Sequence, residues 1–87
     1  MKRFEKGKIY KLSLPDRNTR ARYYNVIKRS LRKITLQDVV SGEIIETDLK
    51  AGNSVRLRNG VYCEVREEWC LPLGDAYPLM MTAYDEI

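Results

Sequence analysis

Turn-forming residues cut this chain into short alternating runs, and nowhere do apolar residues keep to i, i+3, i+4, i+7 spacing for three helical turns. That pattern excludes a helical bundle and predicts strands. At residues 8–14, Tyr10, Leu12 and Leu14 fall on one face before Pro15-Asp16-Arg17-Asn18 ends the run. The segment 22–29, Arg-Tyr-Tyr-Asn-Val-Ile-Lys-Arg, is rich in aromatic and β-branched residues, and 33–37 repeats the pattern with Ile34 and Leu36 on one face. Ser30-Leu31-Arg32 is short enough to make the two a hairpin. Ser41-Gly42 predicts a tight turn between 36–40 and 43–49, and Ala51-Gly52-Asn53 reads as the end of that fourth strand. Asn59-Gly60 is the strongest hairpin signal, because a type I′ turn needs positive φ at both central residues; it joins 54–58 to 61–66.

After Trp69 the pattern changes. Pro72, Gly74 and Pro78 interrupt any regular element while Leu71, Leu73, Tyr77, Leu79, Met80 and Met81 stay apolar, so this tail is expected to pack across the body and add a last short strand. The fold class that follows is all-β: a small five- or six-stranded bent sheet, or a barrel of the Src-homology-3 or Tudor kind, with an irregular C-terminal tail. A short helix in the tail would make it α+β. Eighty-seven residues suit a single domain, 1–87, which buries only about 60% of the surface its unfolded chain exposes.

The order of features resembles a group of small uncharacterised proteins of phages and integrative elements of Gram-positive bacteria. The residues that carry the resemblance are Phe4, Gly7 and Tyr10, then Val26-Ile27-Lys28-Arg29 with Ile34-Thr35-Leu36, then Gly60 and Tyr62, and the tail Leu71-Pro72-Leu73-Gly74 with Tyr77. Gly74-Asp75-Ala76-Tyr77-Pro78 departs from it, since the similar chains are more basic there. The resemblance implies a mobile-element origin and a barrel, and brings no reaction and no catalytic residue.

Residue chemistry argues against an enzyme. There is no histidine, so Ser-His and Cys-His nucleophile pairs are excluded, and the five glycines stand singly at turns and form no phosphate loop. Glu64, Glu67-Glu68, Asp75 and Asp85-Glu86 read as solvated acids, and two thiols without histidine make a zinc site a poor fit, so neither metal nor cofactor is expected. No apolar run approaches the roughly 20 residues of a membrane span, and charges fill the first eight positions; the expectation is a cytoplasmic chain with no membrane partner, its Cys63 and Cys70 reduced and unbridged.

Charge is the feature left to explain. Residues 1–33 carry twelve Lys or Arg against two acids, a net of +10, whereas residues 34–87 carry a net of −6. Arg17, Arg20 and Arg22 decorate the first loop and the entry to the second strand. Lys28, Arg29, Arg32 and Lys33 surround the tip of the first hairpin, with Tyr23 and Tyr24 between the clusters. Cations spaced along a groove meet phosphates and aromatic faces stack on bases, so these nine residues are the candidate site for a nucleic acid bound with low sequence specificity. The competing expectation is a phage or mobile-element accessory or inhibitor protein that docks on an acidic host surface, such as a defence nuclease. A homodimer is compatible with either.

Overall fold

The computed structural model describes residues 1–13, 21–58, 61–72 and 80–87, and for 53–58 and 61–66 the backbone alone. Six antiparallel strands follow one another in a single meander: β1 (Ile9–Leu12), β2 (Arg22–Arg29), β3 (Lys33–Asp38), β4 (Ile44–Arg58), β5 (Val61–Cys70) and β6 (Met81–Thr82). The sheet curls until its ends nearly meet. Tyr10 of β1 bridges to Glu86, and the Ile87 N–H donates to the Ile9 carbonyl at 3.0 Å. Among the described residues the one helical element is a 3-10 turn, Ala83–Asp85, held by reciprocal capping: Thr82 Oγ1 accepts from the Tyr84 N–H at 3.2 Å while Asp85 Oδ2 accepts from the Thr82 N–H at 2.7 Å.

The expected first hairpin is present, with Ser30 accepting at its side chain from the Lys33 N–H and donating from its backbone to the Lys33 carbonyl. Two expectations are corrected. The third strand stops at Asp38, not at Val40, because Asp38 Oδ1 accepts from the N–H groups of Val40 and Ser41 at 2.8 and 3.0 Å and turns the chain early. Gly42 completes the turn at φ +77°, a conformation only glycine adopts without strain. The fourth strand does not end at Ala51-Gly52-Asn53. It runs on to Arg58, pairing with β3 through 44–48 and with β5 through 49–58. Gly52 therefore lies within the strand and not at its terminus: it pairs with Glu67, and a Cβ placed there would meet Trp69 Nε1 at 3.4 Å, an ordinary contact. Asn59-Gly60 lies outside the described residues; the register on either side of it pairs Arg58 with Val61.

Alternation decides what is inside. Tyr10 and Leu12 of β1, Tyr24 and Val26 of β2, and Ile34 and Leu36 of β3 are buried, joined by Phe4, Leu49, Cys70, Met81 and Ala83. Phe4 meets Tyr10 edge to face with ring centroids 4.8 Å apart. Of the two tail methionines, Met81 is fully buried and Met80 is half exposed. Leu14 lies outside the described residues. Cys70 is a free, buried thiol; Cys63 stands seven positions earlier on the same strand, about 23 Å away along an extended chain, far beyond disulfide reach.

Candidate functional site

A bulge in β2 separates two cations that are neighbours in sequence. Val26 pairs with Leu36, but the next pair is Lys28 with Thr35, so Ile27 is the extra residue. One extra residue reverses the parity of everything after it. Lys28 turns to solvent, and Arg29, paired with Ile34, turns inward. There its guanidinium grips Glu68 with two bonds, Nη1 to Oε2 at 2.6 Å and Nη2 to Oε1 at 2.8 Å, and Nη1 also donates to the Phe4 carbonyl at 2.6 Å. The Phe4 N–H donates to Glu68 Oε2 at 2.9 Å. Burial would raise the pKa of this carboxyl, yet the Arg29 bonds, the Phe4 N–H and the guanidinium charge together hold it below the usual carboxylate range. Arg29 is thus engaged in structure and leaves the set of exposed cations.

The same contacts seat the N-terminal segment on the barrel. Gly7 N–H donates to the Val26 carbonyl at 2.8 Å, Val26 N–H to the Lys8 carbonyl at 3.1 Å, and Glu68 N–H to the Lys2 carbonyl at 3.0 Å. Gly7, at φ +85°, makes the sharp turn that brings residues 5–8 back along β2. Arg3, Lys6, Lys28 and Arg32 are thereby gathered at one end of the barrel, all exposed and without an ion pair among the described residues. Their surroundings are partly screened: Lys2 and Lys8 approach Glu86 at 3.9 and 3.6 Å, and Lys33 approaches Asp48 at 3.1 Å and Glu46 at 4.0 Å. Arg3 and Lys6 were not among the sequence candidates. The overall excess of charge in residues 1–33 was their only signal, since position along the chain does not say what residues 2–8 fold against.

At the other end of β2, Arg22 and Tyr23 line an open groove of about 590 Å³ together with Ala21, Asp38, Val40 and Ser41. The Tyr24 ring is wholly buried in the core, so it offers no face for stacking. Its phenol oxygen lies against the Arg22 guanidinium, which with Asp38 and Glu43 raises the pKa of that arginine. Arg17 and Arg20 lie outside the described residues.

No family model, curated protein or solved structure matches this chain. The site must be interpreted from its own chemistry. Among the described residues no three His, Cys, Asp or Glu side chains are grouped to hold a metal, and no helix is long and apolar enough to cross a membrane. Burial and then the charge of Asp85 push the Cys70 thiol up to about 12, which leaves it protonated and unreactive. What the surface does offer is clustered positive charge.

Proposed function

We propose that this protein binds the phosphate backbone of nucleic acid, with little sequence preference, through Arg3, Lys6, Lys28 and Arg32. Lys2, Lys8 and Lys33 border this cluster, each close to an acid. The observation that carries this reading is the docking of residues 2–8 on the end of β2, which joins two groups of cations far apart in sequence. Glu67 and Glu68 of β5, read as solvated from the sequence, are both buried, and Glu68 is paired with Arg29. Four like charges repel, and an arriving polyanion turns that repulsion into attraction by releasing its counterions.

The test is fluorescence anisotropy with random-sequence DNA and RNA at two salt concentrations, on the native protein and on a variant carrying Arg3→Gln, Lys6→Gln, Lys28→Gln and Arg32→Gln. The native protein binds with a steep salt dependence, while the variant keeps its thermal midpoint and loses up to about 3–4 from the salt slope. Undiminished binding by the folded variant refutes the assignment. A protein partner is the second reading, in line with an accessory or inhibitor of mobile-element origin, and one observation favours it. Val39, Val40 and Ile44 are 53, 88 and 61% exposed around the β3–β4 turn. On that reading neither DNA nor RNA binds at physiological salt.

A further inference from the structure

The outer face of β1, β2 and β3 carries a second set of residues, arranged in rows by the strand register. Directly paired residues share a face, and the buried Tyr10, Tyr24, Val26 and Leu36 fix which one points inward. Outward, Lys11 pairs with Tyr23. About 7 Å further along β2, Asn25 lies between Ile9 and Gln37, and beyond the bulge Lys28 pairs with Thr35. Two open grooves indent this face and meet at Asp38. The groove beside Tyr23 lies at the edge of the face, since Arg22 and Asp38 in its lining pair with the buried Leu12 and Tyr24; the other, of about 300 Å³, is lined by Ile9, Asn25, Gln37, Asp38, Val39 and Gly42.

We infer that this face seats the bases of a single strand, so that the nucleic acid of the proposed function is bound unpaired, along β2 from Tyr23 to Lys28. The inference rests on the phosphate-binding reading and adds where the bases go. Tyr23 supplies an aromatic plane for stacking, with Lys11 paired beside it on the same face for an adjoining phosphate. Asn25 and its paired Gln37 both line the second groove, and their carboxamides offer donors and acceptors to the edge of a base. Lys28 receives the next phosphates and leads them to the cations of the N-terminal segment. The path across to β4 is closed to a polyanion by Glu43, Glu46 and Asp48, all exposed, so the strand follows β2. A duplex keeps its base faces stacked internally and cannot place them on Tyr23.

Three labelled probes of equal length test this by anisotropy: oligothymidine, an abasic deoxyribose-phosphate chain of the same charge, and a duplex. Oligothymidine binds at least about fivefold tighter than the abasic chain, the effect of one stacked base, and tighter than the duplex per strand. Tyr23→Leu, at a partly buried position, abolishes the advantage over the abasic chain and leaves the salt slope unchanged. The comparison of oligothymidine with the abasic chain needs no variant and stands even if Tyr23→Leu unfolds. Equal binding of those two probes overturns the base-seating face while leaving phosphate binding intact; absence of binding to all three overturns both. A concentration-dependent dimer that Tyr23→Leu dissociates, with no base-dependent binding, reassigns the face to self-association and overturns the inference.

Discussion

Lys28→Gln and Arg29→Gln, made one at a time, alter adjacent cations that the amino-acid sequence does not distinguish, and the bulge at Ile27 makes their consequences opposite. Arg29→Gln removes two bonds to Glu68 and one to the Phe4 carbonyl, and strands a carboxylate whose side chain is only 6% exposed with the Phe4 N–H as its remaining partner. Breaking one side of such a pair costs about 3–5 kcal/mol; because the Arg29 side chain keeps 22% of its exposure, about 3 kcal/mol is expected here. A domain of 87 residues has roughly 4–13 kcal/mol in all, so this is a large share, equivalent to a fall in Tm of about 12 °C or more. Lys28→Gln should stay within about 0.5 kcal/mol. Urea unfolding at neutral pH, followed by far-UV circular dichroism, separates the two. The gap between Arg29→Gln and the native protein should also narrow in acid, where a protonated Glu68 no longer needs a counter-charge. Variants of equal stability would refute both the bulge-driven change of face and the structural role of the ion pair.

A pH series of thermal midpoints should show an acid limb from Glu68: its pKa is depressed in the folded state, so its stabilisation is complete above the ordinary carboxylate range and is lost as pH falls through the lower folded value, and Glu68→Gln should flatten that limb. Gly42→Ala should cost about 1 kcal/mol in chemical denaturation, although its Cβ would meet nothing within 4 Å, because the penalty lies in the backbone at φ +77°. Cys70 should resist thiol reagents at pH 8 until the protein unfolds, as followed by labelling and mass measurement, given a thiol pushed up to about 12.

The β2–β3 hairpin was legible because alternation, β-branched content and a three-residue link all agree there. β4 was not, since Gly52 between Ala51 and Asn53 carries the composition of a turn, whereas the chain there stays extended and paired with β5. In the candidate site, Lys28 and Arg32 could be placed at the hairpin tip from spacing alone. Arg29 could not, because strict alternation puts it on the outer face and only the bulge puts it inside. Tyr24 follows the same logic in reverse: its alternation with Val26 marks it as core, a signal outweighed by its place between two basic clusters. Arg3 and Lys6 depend on bonds between Gly7 and Val26 and between Phe4 and Glu68, contacts of long range that no local pattern encodes.

The seam of this barrel joins residues far apart in sequence. Phe4 meets Glu68 across 64 positions, and Ile9 accepts its bond from Ile87. During synthesis the β2–β3 hairpin can pair as soon as it emerges, but the ring cannot shut, and Phe4 and Tyr10 cannot be covered, until Ile87 has left the ribosome. Closure is therefore the late and slow event in folding, set by the search for contacts between distant residues and not by the pairing of neighbouring strands.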